Sequence, residues 1–375
     1  MKKKEEYQWL NLIRGLAAMA VFTGHLRIIF FRDVDVSDLN YLYKATVFVT
    51  GFGHLAVVIF FVLSGFLIIK SIDQSTKRGS WNTITYARNR FFRLWVVLIP
   101  CLILGLIWDR LGIAFWGDSL FYSNQWKYFL NQDIENKLSA TIFIGNALFL
   151  QKILVPTLGS NGALWSLTNE FWYYVIFPLL YFGSVDKHRV RSKVLYFTSG
   201  IILLFFVGEE ISITFPIWLM GGLSYIISVR VGDKILTNKL LLSLVLGFFL
   251  LAILLNRVKY NDQFFNFYVV AVLFSLAIPF LIKLKMNSSL MNALSNYMSN
   301  ISYTLYLAHL PFLYLVTSII GYQDLAWNLW NFSAFLLITF LTVAYSTLLW
   351  YIFEKNTDKI KSWMYMLGKK LVKSY

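Results

Sequence analysis

Residues 47–69 read VFVTGFGHLAVVIFFVLSGFLII, a run without Lys, Arg, Asp or Glu. A helix of about twenty apolar residues crosses the roughly 30 Å hydrocarbon core of a bilayer. Runs of similar length recur along the 375-residue chain, which is 58% hydrophobic and only 14% charged. Soluble domains carry about 25% charged residues. The sequence therefore predicts an all-α integral membrane protein and excludes a soluble globular one.

The apolar runs predict ten transmembrane helices and a single transmembrane domain over 1–375. The predicted spans are 9–31, 47–69, 91–108, 163–182, 194–207, 211–229, 239–256, 264–283, 300–320 and 329–353. The run 139–150 is too short to cross and fits a re-entrant or interfacial segment. With the N-terminus inside, Lys and Arg favour the cytoplasmic loops by about three to one, as the positive-inside rule requires. We expect a central polar cavity, both termini in the cytoplasm, and 109–162 as the long extracytoplasmic loop.

The net charge of +15 does not indicate a nucleic-acid partner, because the Lys and Arg residues cluster at predicted helix ends. The first apolar run follows Lys2, Lys3 and Lys4 and has no small-residue cleavage site, so it is predicted to be a retained helix. The single cysteine, Cys101, excludes an intrachain disulfide. The four His residues are too scattered to predict a metal site.

Four ionisable residues fall within the predicted spans: Arg14, His25, Glu170 and His309. Each costs at least about 2.5 kcal/mol at the centre of a membrane helix, so a function is expected for them. Arg14 and His25 are about three helical turns apart, which places them about 16 Å apart on one face of the first helix. Glu170 is expected at a depth similar to that of His25, where the pair can act as a base and its orienting partner. The alternative is structural, because a buried His or Glu often only links helices.

Two further features have both a functional and a structural interpretation. Arg90 and Arg93 share a helix face at the cytoplasmic end of the third span and suit a polyanionic phosphate, although topology alone also favours Arg there. Ser64 in the Ser64-Gly65-Phe66 stretch is a candidate for acyl transfer, but small residues also let membrane helices pack closely, and packing is the favoured interpretation.

Five motifs together resemble the acyltransferase-3 family of bacterial membrane O-acyltransferases. They occur in the family order and span residues 11 to 311. The motifs are Arg14-Gly15-Leu16-Ala17-Ala18 followed by His25, Phe60-Phe61-Val62-Leu63-Ser64-Gly65-Phe66-Leu67, Arg90-x-x-Arg93, Trp165-Ser166-Leu167-Thr168-Asn169-Glu170-Phe171 with Tyr174 and Pro178, and Tyr306-Leu307-Ala308-His309 with Pro311.

The resemblance implies an enzyme of the bacterial inner membrane that transfers an acyl group, usually acetyl from cytoplasmic acetyl-CoA, to a hydroxyl on a sugar or other acceptor at the outer face. By motif, His25 resembles the catalytic His and Arg14 its companion. Arg90 and Arg93 resemble the phosphate-contacting pair. Further site candidates by motif are Ser64, Glu170, Trp165, Tyr174, Tyr306 and His309.

The sequence departs from the family pattern at two places. Asn11 stands where the family often has Asp, and Trp95 and Val96 stand where a Pro often follows the Arg pair. The segment after Lys355 is short, so no fused esterase-like domain is expected. The expected lack of a fused domain and the modest size favour a tailoring enzyme for O-antigen or another surface glycan that acts on a lipid-linked or nascent chain. Macrolide acylation and succinyl transfer stay open within the family.

The mechanism is also left open by the sequence. A neutral His25 can take the proton of the acceptor hydroxyl, with Glu170 orienting the ring and Arg14 favouring the oxyanion or holding CoA. An acyl-His25 intermediate is a second route. A transporter or flippase of an anionic or lipid-linked sugar is the alternative from another class, although the sequence has no internal repeat of the transporter type. A scaffold gives no reason for charges within the spans. Aromatic residues of the 109–162 loop either bind the sugar or form an interfacial belt: Phe115, Trp116, Phe121, Tyr122, Trp126, Tyr128 and Phe129.

Overall fold

The computed structural model describes residues 7–31, 41–123, 133–185, 190–258, 263–321 and 326–373. The described part is helical, and outside the helices it contains an isolated β-bridge between Gln151 and Val155. The α-helices are α1 Gln8–Phe30, α2 Tyr41–Val49, α3 Gly53–Lys77, α4 Thr83–Trp116, α5 Ala140–Ala147, α6 Trp165–Val185, α7 Val190–Phe206, α8 Glu209–Ser212, α9 Phe215–Arg230, α10 Asp233–Leu236, α11 Lys239–Val258, α12 Gln263–Leu281, α13 Ser289–Ile320, α14 Leu329–Ile352 and α15 Thr357–Lys373.

The prediction of an all-helical protein with membrane-spanning helices is confirmed. Seven stretches of the described residues are long and apolar enough to cross a membrane: Gln8–Phe30, Tyr43–Lys77, Thr83–Trp116, Glu209–Arg230, Lys239–Asn256, Ser289–Ile320 and Leu329–Met364. Helices α6, α7 and α12 also coincide with predicted spans, but α7 has only 17 residues and α6 carries Asn169 and Glu170. The count of ten spans and the cytoplasmic termini therefore stay predictions.

Several helices extend well beyond the apolar runs that predicted them. Helix α4 contains the predicted span 91–108 but begins at Thr83, because the Asn82 side chain caps it by accepting a hydrogen bond of 2.8 Å from the Thr85 backbone N–H. Its C-terminal end at Trp116 includes Asp109, which the prediction assigned to the extracytoplasmic loop. Hydropathy marks the apolar part of a helix, whereas capping residues set its ends.

The chain divides into two units, and the first comprises Met1–His25, Asp35–Trp81 and Ser166–Ser302. Glycines allow its helices to approach closely. A Cβ on Gly65 of α3 would lie 1.9 Å from the carbonyl oxygen of Trp218 on α9, and one on Gly221 of α9 would lie 2.2 Å from the α3 backbone. Small residues drive such contacts in lipid, because close backbone packing replaces the hydrophobic effect between helices.

The second unit comprises Leu26–Val34, Asn82–Trp165 and Tyr303–Tyr375. Helices α4 and α14 are joined by the indole of Trp108, which donates a hydrogen bond of 3.0 Å to the Tyr345 hydroxyl. Tyr345 also stacks on Phe312 of α13, with ring centroids 4.4 Å apart. The run 139–150 contains the short helix α5, which Ser139 caps through the backbone N–H of Ile142.

Candidate active site

In the first unit, three side chains that the sequence singled out meet in one hydrogen-bonded cluster. Ser64 Oγ of α3 donates a hydrogen bond of 2.9 Å to Glu170 Oε1 of α6. The Tyr174 hydroxyl, also on α6, donates to the same carboxylate oxygen and lies 3.1 Å from Ser64 Oγ. The indole of Trp218 on α9 completes the cluster by donating a hydrogen bond of 3.2 Å to Ser64 Oγ. We call these four residues the Glu170 cluster.

The local sequence explains why these side chains meet. Glu170 and Tyr174 are four residues apart on α6, so they project from one face of that helix. Ser64 precedes Gly65, where α3 and α9 approach most closely, and this contact brings Ser64 and Trp218 together. Gly65 of the Ser-Gly-Phe stretch therefore packs helices, as expected, and Ser64 donates to the carboxylate. A role of Ser64 in acyl transfer stays a prediction.

The Glu170 cluster concentrates hydrogen-bond donors on one carboxylate oxygen. Two hydroxyl groups donate to Glu170 Oε1, and hydrogen bonds to a charged group are about twice as strong as those between neutral groups. Glu170 is half-buried, whereas Trp218 is fully buried. A partly desolvated carboxylate with fixed donors can accept a proton or stabilise a nearby cation.

Arg14 and His25 both lie on α1, whose uninterrupted helix over Gln8–Phe30 gives them the common face expected from their spacing. Both side chains are half-buried, and both make contacts. Each is next to a glycine that packs closely. A Cβ on Gly15 would lie 2.4 Å from Met298 Cβ, and one on Gly24 would lie 2.7 Å from the Thr50 carbonyl oxygen. The glycines fix the rotation of α1 and thereby the direction of both functional candidates.

Arg90 and Arg93 lie near the N-terminus of α4 in the second unit. Arg90 is half-buried, with its guanidinium 5.5 Å from the ring centroid of Tyr86, whereas Arg93 is exposed. Trp95 stands where the family often has a Pro after the Arg pair. Its indole donates a hydrogen bond of 3.1 Å to the Ala147 carbonyl. Trp95 therefore anchors the C-terminal end of α5.

Three further candidates lie in the second unit, and one of them contacts the segment that precedes α6. The Tyr306 hydroxyl donates a hydrogen bond of 3.1 Å to the Ala163 carbonyl. His309 is fully buried, and its Nδ1 lies 2.9 Å from the Leu305 carbonyl of its own helix. Trp165 is half-buried at the first position of α6. The hydrogen bond of His309 lies within α13, so both the site role of His309 and its alternative as a link between helices stay predictions.

The structure also reveals a carboxylate that the sequence did not single out as a site candidate. Asp109 of α4 is 1% exposed, and its Oδ2 accepts a hydrogen bond of 2.8 Å from the Ser160 backbone N–H. The side chains of Tyr122 and Tyr314 interact with it electrostatically. Burial and the neighbouring Asp109 carboxyl raise the pKa of the Tyr122 hydroxyl, so Tyr122 stays neutral. We call Asp109, Ser160, Tyr122 and Tyr314 the Asp109 cluster.

Two of the loop aromatics that the structure describes are buried by packing. Phe121 and Tyr122 are buried, and the Phe121 ring lies 5.1 Å from that of Tyr314. Phe115 and Trp116 belong to the last turn of α4. Trp126, Tyr128 and Phe129 lie outside the described residues. Among the described residues, no group of three or more His, Cys, Asp and Glu is arranged to hold a metal ion.

A comparison with protein-family models matches residues 7–351 to the acyltransferase domain of the acyltransferase-3 family. The chain belongs to this family. The match covers nearly all of the described helices and every site candidate of both units, so the resemblance seen in the five motifs is confirmed over the whole domain.

Two curated proteins are similar to this member of the acyltransferase-3 family. An O-acetyl transferase of Shigella phage Sf6 is 29% identical over 187 residues, which cover 46% of this chain and 49% of the phage protein. The acyltransferase MdmB of Streptomyces mycarofaciens is 31% identical over 187 residues, which cover 48% of this chain and 41% of that protein. The matched region thus spans about half or less of each relative. No solved structure matches the chain.

Sequence reasoning missed four residues of these two clusters: Trp218, Asp109, Ser160 and Tyr314. Trp218 is one of 13 Trp residues, and an uncharged aromatic residue within an apolar run carries no polar signal. Asp109 did carry a signal, since it is a carboxylate next to an apolar run, but the predicted span ended one residue before it. If the predicted span had continued to the end of α4 at Trp116, Asp109 would have been recognised as a carboxylate within a membrane helix.

Proposed function

We propose that the protein is an integral-membrane O-acyltransferase that moves an acetyl group from cytoplasmic acetyl-CoA to a sugar hydroxyl of a surface polysaccharide such as O-antigen. The observation that carries the proposal is the Glu170 carboxylate, held by the hydroxyl groups of Ser64 and Tyr174 within an acyltransferase-3 domain. Membership of this family supports an enzyme over the transporter alternative.

In the proposed reaction, the acceptor hydroxyl attacks the carbonyl carbon of the acetyl thioester. A sugar hydroxyl is a poor nucleophile, so neutral His25 takes its proton during the attack. Glu170 stabilises the resulting imidazolium, and Arg14 stabilises the oxyanion that forms on the carbonyl oxygen. The carbon–sulfur bond then breaks, and the proton passes from His25 to the CoA thiolate.

Arg90 and Arg93 are proposed to bind the phosphates of CoA. Guanidinium groups suit phosphate because their planar donor forks can bind two oxygens at once. The aromatic ring of Tyr86 restricts the motion of Arg90, which lowers the entropy that is lost when a phosphate binds. Exposed Arg93 remains accessible to a soluble cofactor.

The acceptor is proposed to be a lipid-linked or nascent glycan, and the enzyme is proposed to act in the bacterial inner membrane. One relative is named an O-acetyl transferase and another an acyltransferase, which supports transfer to oxygen without identifying the acceptor. Membrane lipids surround the spanning helices, and the mechanism uses no metal and no nucleic acid. Transfer through an acyl-His25 intermediate is the second route, and it differs in leaving acetyl on the protein when no acceptor is present.

Transfer of radiolabelled acetyl from acetyl-CoA into surface polysaccharide tests this function in membranes that contain the protein. We expect His25→Ala to abolish incorporation and the Arg90→Ala/Arg93→Ala variant to raise the KM for acetyl-CoA about tenfold or more. Matched controls are His54→Ala and Arg110→Ala, which alter exposed residues of α3 and α4. Both controls should retain transfer.

Two outcomes would contradict the proposal. If His25→Ala retains full transfer while inserted in the membrane, the role of His25 is wrong. If the unmodified protein neither transfers acetyl nor binds acetyl-CoA, the assignment of donor and activity is wrong. Label that remains on the protein in the absence of acceptor, and disappears in His25→Ala, would select the acyl-His25 route.

A further inference from the structure

Trp218 forms the start of a directed chain of hydrogen bonds that ends on Glu170. Its indole N–H donates to Ser64 Oγ at 3.2 Å, and Ser64 Oγ donates to Glu170 Oε1 at 2.9 Å. The three residues come from α9, α3 and α6 of the first unit. Each bond polarises the next in such a chain, so the chain strengthens the final bond to the carboxylate.

The indole N–H restricts the direction of the Ser64 hydroxyl. A serine hydroxyl has one proton and can turn it to either of two neighbours, here Glu170 Oε1 and the Tyr174 hydroxyl at 3.1 Å. An indole can only donate. Trp218 therefore occupies a lone pair of Ser64 Oγ and leaves the Ser64 proton to be donated to its other neighbours.

Packing holds the indole at this position. Trp218 is fully buried, and its ring stacks on Phe215 with centroids 6.0 Å apart and lies 5.4 Å from the ring of Phe177. Its backbone is fixed as well, because the absence of a side chain at Gly65 allows α3 to contact the Trp218 carbonyl oxygen. The ring cannot leave Ser64 unless this packing is disrupted.

We propose that Trp218 is a positioning residue for acyl transfer, which acts through Ser64 to hold the Glu170 carboxylate in its reactive orientation. Trp218 touches neither the acetyl group nor the acceptor in this arrangement. The inference rests on the proposed function, because it assigns Trp218 a part in the step that Glu170 supports.

The test measures kcat and KM for acetyl transfer in Trp218→Phe, in Ser64→Ala and in the double variant. Because phenylalanine is smaller, a second form carries benzothienylalanine at position 218, which replaces the N–H by sulfur in a ring of similar size. We expect either replacement to lower kcat about three- to tenfold, with KM for acetyl-CoA changed less than about twofold. In the Ser64→Ala background, Trp218→Phe should change kcat less than about twofold, because the chain is already broken.

The matched control is Trp108→Phe, which removes an indole hydrogen bond to the Tyr345 hydroxyl in the second unit and should leave kcat within about twofold. Equal losses of kcat from Trp218→Phe with and without Ser64, or full kcat with benzothienylalanine, would overturn the inference and leave the proposed function intact. If the unmodified protein transfers no acetyl group, the proposed function fails and the inference fails with it.

Discussion

Glu170 and Asp109 are both carboxylates on helices of an apolar protein, but their surroundings differ in kind. Glu170, in the first unit, is half-buried and accepts hydrogen bonds from the side chains of Ser64 and Tyr174. Asp109, in the second unit, is 1% exposed and accepts its hydrogen bond from the backbone N–H of Ser160. The Oδ1 atom of Asp109 accepts no well-formed hydrogen bond from the described residues.

This difference separates a carboxylate suited to chemistry from one suited to fixing a loop. Side-chain hydroxyl groups can reorient when the charge on a substrate changes, and a half-buried carboxylate can be reached. A backbone N–H in a tight loop cannot reorient. Gly159 precedes Ser160 at a φ of +52°, and a Cβ there would lie 2.0 Å from Asp109 Oδ2. A charge on an apolar helix therefore does not identify a site unless its partners are known.

The largest effect is expected when both hydroxyl donors of Glu170 are removed. Ser64→Ala/Tyr174→Phe should lower kcat for acetyl transfer at least about 100-fold, because each hydrogen bond to a charged group contributes about 1.5–3 kcal/mol. Ser160→Ala/Tyr314→Phe removes the same two hydroxyl types beside Asp109, where neither makes a well-formed hydrogen bond with the described residues, and should keep kcat within about threefold. Similar losses of kcat in the two double variants would contradict the proposed difference between Glu170 and Asp109.

The next effect concerns the stability of the Asp109 cluster. Gly159→Ala should lower the free energy of unfolding by at least about 2 kcal/mol, because alanine is strained at positive φ and its Cβ would overlap the carboxylate. Thermal unfolding in detergent measures this change. Gly232→Ala is the matched control, since a Cβ at Gly232 would meet no atom within 4 Å. Equal unfolding midpoints for the two variants would show that Asp109 does not confine this loop.

A smaller loss of stability is expected when position 109 no longer carries an acceptor for the Ser160 backbone N–H. Asp109→Leu leaves the buried N–H of Ser160 without its partner, which should cost about 1–3 kcal/mol of stability. Asp109→Asn keeps an acceptor oxygen and should cost less. The same unfolding measurement compares the two variants, and a leucine variant as stable as the asparagine variant would exclude a structural role for this hydrogen bond.

The sequence predicted the helical membrane fold because hydropathy and helix length are local properties. It also selected Ser64, Glu170 and Tyr174, which the structure brings together. The sequence did not show that they share one carboxylate oxygen, because Ser64 is 106 residues from Glu170 and 110 residues from Tyr174. That contact depends on how α3 packs against α6 and α9. The glycine at position 65 indicated close packing, but not the partner helix.

Other features lay beyond sequence reasoning for different reasons. Trp218 was missed because its role comes from one N–H group, which hydropathy does not register. Asp109 was missed because α4 continues past the apolar run to Trp116. His309 was selected for its charge, yet it is fully buried with a hydrogen bond to its own helix. The charge of a side chain indicates that its burial is unfavourable, whereas its contacts show whether it takes part in chemistry or in packing.

Acetyl transfer from acetyl-CoA, measured side by side in Glu170→Gln and Asp109→Asn, tests most directly whether Glu170 is the catalytic carboxylate. Both substitutions replace a carboxylate by an amide of the same size. Loss of a proton-accepting or charge-stabilising group should lower kcat at least about 100-fold in Glu170→Gln, while Asp109→Asn keeps kcat within about threefold. Full transfer by Glu170→Gln, or equal losses in both variants, would contradict a catalytic role for Glu170.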